Sequence, residues 1–464
     1  MTLSLRTRQV NNNVTSLTDG PVCSAMLRFA LPIFISQVFQ QLYNTADAFI
    51  VGRYLGTSAL AAVSSSGSLI LLITSFFIGT TMGAGVVISR WFGADNEENV
   101  SRAIHTDIAF GLAGGLALSI IGIALTPTLL RWMNTDTEVL PQAIEYFRFY
   151  FAGSLAVMMY NTCRSIMNAL GDSRRPLWYL VLSSLLNIAL DLLFVGAFGW
   201  GVWSAAAATV ISQAVSAVLC LIHLSHKGQI YTVSVRKLHF HRDMLREILR
   251  NGLPSGVQNS VISLANVIVQ SQINTFGMLA MAAFGTHARL EGFAFLPITS
   301  FSMAITTFIS QNLGAGKHER AKKGARFGIL LAVVLAEIVG AVYFIFAPDL
   351  IALFDSTPGV VTLGVRQAHI EALFFFLLAF SHSVAAVCRG AGKATVPMVI
   401  MLSVWCVFRI AYIWFVMRVF NEIALIYAAY PLTWSISSVI YLLYYLRSDW
   451  VHGFDPKPMR TDNL

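Results

Sequence analysis

Charge is what this chain is short of. Only 12% of its 464 residues are Asp, Glu, Lys or Arg, while 56% are hydrophobic and the mean hydropathy is +0.67. Soluble domains carry roughly a quarter charged residues, so this composition excludes one and marks an integral membrane protein. A cleavable secretory signal is missing too. Residues 1–25 are polar and Asn-rich, so the first apolar run is expected to stay as a membrane helix. Cysteine is scarce: five residues, odd in number and scattered, with no CxxC pair, which argues against a disulfide framework or a Cys-ligated metal. A phosphate loop is absent as well. Gly314-Ala-Gly316-Lys317 and Gly390-Ala-Gly392-Lys393 do not fit GxxxxGK[ST], and neither follows a strand. No ATP-binding subunit is expected, which leaves an ion gradient as the energy source. The net charge of +8 does not imply nucleic acid, because the basic residues sit in loops between apolar runs.

What the chain does have is an internal repeat at a spacing of 221 residues. Ser89–Ala94 (SRWFGA) answers to Ser310–Ala315 (SQNLGA), Pro127 to Pro348, Gly171 to Gly392 and Pro176 to Pro397. Leu31-Pro32 answers to Leu253-Pro254, one place out of register. Weak internal symmetry in an apolar chain points to a transporter made of two bundles around a shared cavity. The tetrads Gly79-x-x-x-Gly83 and Gly111-x-x-x-Gly115 permit close helix packing but recur often by chance, and carry no functional weight here.

A spanning helix needs about 20 apolar residues. Reading for such runs predicts an all-α protein of twelve transmembrane helices. The first six lie near 26–52, 58–90, 102–125, 141–169, 176–198 and 202–225, the second six near 246–275, 279–311, 322–346, 361–389, 395–418 and 423–446. The expected organisation is a polar N-terminus (1–25), a six-helix bundle (26–225), a linker (226–245), a pseudo-symmetric second bundle (246–446) and a tail (447–464). Basic residues such as Arg90, Arg102, Arg174, Arg175, Lys317 and Arg320 crowd the loops on the linker's side. That side and both termini are therefore expected to be cytoplasmic. Six helices per repeat is an even number, so the repeats are parallel.

Acids at bilayer depth are costly and usually face the bundle interior. Asp47, near the outer end of the first helix, and Asp191, near that of the fifth, come to similar depth. Asn187 is one helical turn from Asp191, and Tyr43 one turn from Asp47. Thr209 on the sixth helix and Asn161 on the fourth reach the same level. Such an oxygen-rich set suits a hard cation such as Na⁺; equally, one carboxyl could carry a proton. A pair of structural acids locking the two helices is the bland alternative. Glu291 is expected to pair near Arg289. Glu337 and Glu371 stand alone on apolar helices, and His369 and His382 are expected to be packed or interfacial.

The stretch LYNTADAFIVGRYLG, the ALGDSRRP loop, the SSLLNIALDLLFV helix and the segment HARLEGFAFLPITSFSMAITTFISQNLGAGK resemble the multidrug and toxic compound extrusion (MATE) family, over about residues 26–446. The resemblance implies an antiporter of two six-helix bundles that expels amphipathic, often cationic, compounds in exchange for Na⁺ or H⁺. It places a first-half cation site on Asp47, Asn187 and Asp191, with Asn161, Thr209 and Tyr43 nearby, and associates Pro32 with bending of the first helix. A second branch of the family carries acids on its seventh and tenth helices. Here the seventh offers only Gln258-Asn259-Ser260-Val261-Ile262, and the tenth Leu378 and His382.

The expected function is thus secondary active export of amphipathic small molecules across the cell (inner) membrane, with no cofactor beyond the coupling H⁺ or Na⁺. Partners are limited to those substrates and membrane lipids. A flippase for a lipid-linked sugar or other polar lipid is the alternative, for which Arg289 and Arg409 are the deep cationic candidates. A membrane enzyme would need clustered His, Ser or acids at one membrane face, and the sequence offers no such cluster.

Overall fold

A computed structural model describes residues 17–132, 137–226 and 232–452. Most of the expected polar N-terminus (1–16), part of the linker (227–231) and most of the tail (453–464) lie outside the described residues. Twelve long helical segments cross the fold, and no strand occurs among the described residues. They are α1 (Val22–Gly56), α2 (57–93), α3 (Glu97–Trp132), α4 (Leu140–Ala152 with Ser154–Ala169), α5 (Arg174–Ala197) and α6 (Trp203–Leu224). The second six are α7 (Arg242–Asn274), α8 (Met278–Gly314), α9 (His318–Phe354), α10 (Pro358–Gly390), α11 (Thr395–Val419) and α12 (Ile423–Arg447). Nine are long and apolar enough to cross a bilayer on that ground alone; α2, α4 and α7 complete the twelve.

The repeat is written into the backbone. Gly56, which ends α1, and Gly277, which directly precedes α8, have φ of 88° and 93° with ψ of −177° at both. Gly171 and Gly392 share positive φ, as do Asp95 and Gly316, and the members of every pair stand 221 residues apart. Side chains rarely adopt these conformations, so Gly or Asp serves at each.

Four helices depart from the continuous rods that the sequence predicts. α4 breaks at Gly153, where a Cβ would collide with Val210. α10 breaks in a 3₁₀ turn, Ala372–Phe374, directly after Glu371, and the Glu337 carboxylate accepts the freed Phe376 N–H at 3.3 Å. α5 widens into a π-helical turn, Leu192–Ala197, directly after Asp191. α11 does the same over Leu402–Phe408, directly before Arg409. Such wide turns mark functional positions disproportionately often. Pro32 lies inside α1 without a departure from helical backbone, and the Ser36 hydroxyl donates to its carbonyl at 2.7 Å.

The two halves meet on the side that carries the linker. Gly79 and Gly83 of α2 lie against Gly256 and Gly252 of α7, so closely that a Cβ on either α2 glycine would enter the α7 backbone. The α2 tetrad therefore does carry weight, because it builds the contact between bundles. Gly93 and Gly314 repeat the close approach one layer further out, against Gln311 and Arg90. Hydrogen bonds tie the same region. Ser310 Oγ donates to the Val86 carbonyl at 2.7 Å, and Gln311 Nε2 donates to the Ala169 carbonyl at 2.7 Å. Met26, Phe29 and Ile33 of α1 pack with Phe301, Ile305 and Phe308 of α8, so the linker-side half of α1 leans on the second bundle.

Candidate functional site

Three adjoining cavities lie within and between the bundles. Ile78 lines all three. The first-half cavity, about 460 Å³, is walled by Asp47, Tyr43, Asn161 and Thr209 together with Tyr146, Tyr150 and Gln213. Asp47 is 9% exposed. Asp191 and Asn187 lie fully buried behind it and do not reach the cavity surface.

The expected residues come together across α1, α5 and α6. The Asp47 and Asp191 carboxyls are within hydrogen-bonding reach of each other. The Asn187 amide bridges the next step: in the orientation that satisfies both ends, Nδ2 donates to Asp191 Oδ2 at 3.3 Å and Oδ1 accepts the Thr209 backbone N–H at 3.2 Å. Asn161 donates its Nδ2 to the Val157 carbonyl at 2.8 Å, leaving its carbonyl oxygen for the cavity. Tyr43 lies beside Gln213 and Tyr150. One carboxylate oxygen on each acid, Oδ1 of Asp47 and of Asp191, is buried without a partner. Two carboxyls this close repel one another as bare anions, so the arrangement suits either a shared proton or a cation bound by oxygen. Sequence reasoning did not single out Tyr146, Tyr150 or Gln213, because rotation about a helix axis decides which aromatic residues face inward.

The second half holds a cluster that the sequence did not suggest. His287 Nε2 meets Glu371 Oε2 at 3.1 Å, and both residues are 1% exposed. Tyr343 OH meets His287 Nδ1 at 2.8 Å, and Gln367 Nε2 donates to Glu371 Oε1 at 3.0 Å. Glu291 belongs to this group rather than to Arg289, since ligand-capable atoms of His287, Glu291 and Glu371 lie within 4.8 Å of one another. The i, i+4 spacing of His287 and Glu291 puts them on one face of α8, a signal that was available in the sequence. Glu371 is likewise not alone, as its place on an apolar helix suggested.

Glu291 also lines the second-half cavity, about 380 Å³, with Arg409, Trp405, Tyr430 and His382. The Arg409 guanidinium lies 4.4 Å from the Tyr430 ring centroid and donates to Thr433 Oγ1 at 2.9 Å. His382 packs edge-on against Phe295 and Trp405, as expected, yet it also borders two cavities. The third cavity, about 270 Å³, lies between the halves and joins the other two. Arg164 and Asn161 are common to it and the first-half cavity, while Gln258, Asn259 and His382 are common to it and the second-half one.

Two pseudo-symmetric six-helix bundles around a shared, partly polar cavity are the plan of a multi-pass membrane transporter. Residues 32–193 and 254–415 each match the MatE family, and the chain belongs to that family. It is 28% identical to "Probable multidrug resistance protein YoeA" of Bacillus subtilis, over 93% of this chain and 95% of that protein. It is 26% identical to an "FAD transporter" of Shewanella oneidensis, over 74% of this chain and 77% of that protein. Among solved structures, a MOP superfamily transporter from Pyrococcus furiosus superposes with a TM-score of 0.87 at 25% identity, over 92% of this chain and 96% of that one. That transporter is described by the words "Reverse polarity of binding pocket suggests different function".

Proposed function

We propose that this protein is a secondary antiporter of the cell membrane that exports amphipathic compounds by alternating access, driven by inward H⁺ or Na⁺. The observation that carries the reading is the Asp47–Asp191 pair, buried, mutually within hydrogen-bonding reach, and bordered by Asn187 and Thr209. A proton or cation arriving there changes the charge between α1 and α5. It drives transport only by binding one conformation better than the other. In this reading the linker face is cytoplasmic, and the glycine contacts of α2 and α7 seal it. Pro32 supplies a point in α1 where the hydrogen-bond ladder is interrupted and bending is easier. The name of the Bacillus subtilis relative supports drug export.

The test is efflux of a cationic dye from energised cells, wild type beside Asp47→Asn and Asp191→Asn at matched membrane expression. Protons are then collapsed by a protonophore, and Na⁺ is removed by replacement. Loss of gradient-dependent efflux in both variants supports the coupling site, and the gradient that matters names the ion. Efflux that survives both substitutions sinks the site.

A flippase for a polar lipid is the second reading, and one observation favours it. Arg409 lines the second-half cavity, and Arg164 and Arg389 line the path between the halves, whereas Arg289 is exposed and lines none of the three cavities. The Shewanella oneidensis relative, named an "FAD transporter", is consistent with a path that takes anions.

A further inference from the structure

The central cavity has a one-sided charge. Arg164 of α4 and Arg389 of α10 line it from different halves, and no Asp or Glu is among its lining residues. Arg389 is only 6% exposed, its Nε is buried without a hydrogen-bond partner, and it makes no ion pair among the described residues. An uncompensated buried guanidinium is unfavourable in a membrane protein unless something pairs with it, and such residues usually mark a substrate path.

The surroundings fit a ligand rather than a structural partner. His382 Nε2, Asn168 Oδ1 and Ser302 Oγ are also buried without partners on the same walls. Met82, Val86 and Met303 supply apolar surface beside them. The repeat does not generate the two charges, because at the 221-residue spacing Arg389 answers to Asn168 and Arg164 to Ala385. The two guanidiniums stand at non-equivalent positions of the repeat, yet both border one space.

We propose that this cavity binds an amphiphile through an anionic head group, a carboxylate or a phosphate, held by Arg389 and Arg164, with its apolar body against the methionine-lined wall. The proposal rests on the transporter reading and narrows its substrate class. A guanidinium offers parallel N–H donors that match the two oxygens of either group, which a lone ammonium does not. Phospholipid head groups and free carboxylated amphiphiles share this chemistry.

The test uses the full chain in detergent and in proteoliposomes. The first probe is 11-(dansylamino)undecanoate, the second a short-chain fluorescent phosphatidate, and tetraphenylphosphonium is the cationic control. Binding of at least one anionic probe is expected in wild type, weakened at least tenfold in Arg389→Gln and Arg164→Gln, with tetraphenylphosphonium binding not weakened. Arg389→Lys is expected to bind between wild type and Arg389→Gln, because it keeps the charge and loses the paired donors. If Arg389→Gln does not fold, the more accessible Arg164→Gln decides. Anionic-probe affinity equal in wild type and the folded Gln variants, or binding of the cation alone, overturns the proposal. Delivery of the carboxylate into the lumen identifies a soluble substrate; phosphatidate exchange between leaflets identifies a lipid; either supports the head-group chemistry. Gradient-driven tetraphenylphosphonium transport without anion binding would leave the exporter standing and remove only this inference. Anion binding with no transport of any probe would do the reverse.

Discussion

Gly83 of α2 and Gly252 of α7 touch backbone to backbone, with no room for a Cβ on either. Two tetrads, Gly79-x-x-x-Gly83 and Gly252-x-x-x-Gly256, thus face each other at the linker-side closure of the cavity. A branched side chain there has nowhere to go but between the helices. Gly83→Val is expected to cut transport more than tenfold at matched expression. Reactivity of Ser75→Cys with a membrane-impermeant thiol reagent from the linker side should rise, since Ser75 lines the second-half cavity behind that seal. Unchanged reactivity would mean that the glycine contact does not close this face.

Asn187 couples Asp191 to the backbone of Thr209. Asn187→Ala should lower gradient-driven efflux severalfold, less than Asp191→Asn does. In a double-mutant cycle the two should be clearly non-additive, as expected for groups in one network. Additive losses in the Asn187→Ala/Asp191→Asn double variant would separate the amide from the acid.

The His287–Glu371–Tyr343 network is wholly buried. His287→Ala leaves a Glu371 oxygen and the Tyr343 hydroxyl without their partner and opens space beside them. A loss of about 2–5 kcal/mol is expected, since two buried polar groups are left unsatisfied at about 1–3 kcal/mol each, read as a fall in the thermal transition of the purified protein. The ion pair between Arg102 and Asp243, 2.8 Å apart on the surface, is the contrast. Asp243→Asn should cost no more than about 1 kcal/mol, and less in high salt.

Backbone conformation gives a separate test. A Cβ at Gly316 (φ 68°) or Gly277 (φ 93°) meets nothing within 4 Å, so substitution there reports strain rather than collision. Gly316→Ala, in the left-handed helical region, should cost about 1–2 kcal/mol. Gly277→Ala should cost more, because φ of 93° with ψ of −177° is territory that only glycine occupies readily. Equal thermal shifts for the two would contradict this ordering.

Much of the fold was legible because its signals are local and one-dimensional. Apolar run length placed the helices, and the repeat spacing foreshadowed the matched glycines at 171 and 392, while the pair at 56 and 277 emerged only from the backbone. Asp47 and Asp191 could be brought together from depth alone, since two residues at one level on neighbouring helices have few places to go. The rest depends on rotation about helix axes, which an almost uniformly apolar sequence does not encode. His287 meets partners 56 and 84 residues away on two other helices. Arg389 stands at a helix end before Gly390-Ala-Gly392-Lys393, where it reads as one more loop cation, yet it turns into the cavity. The breaks in α4 and α10 follow from tertiary contacts, as at Gly153 beneath Val210, and leave no mark in hydropathy.

The wide turn that follows Asp191 holds slack that an ordinary helix lacks. Its six residues, Leu192–Ala197, share a hydrogen-bond pattern with one residue more than an α-turn accommodates. Tightening it to α geometry would turn the segment beyond it by about 100° relative to the segment before it, with no chain added or removed. We predict that α5 up to and including Asp191 can turn relative to Asp47 in this way while the chain beyond Ala197 stays where it is. A structure of the opposite transport state in which Leu192–Ala197 keeps the same wide turn would argue against it. The device that loads the ion and the one that rotates the helix would then be the same few peptide units.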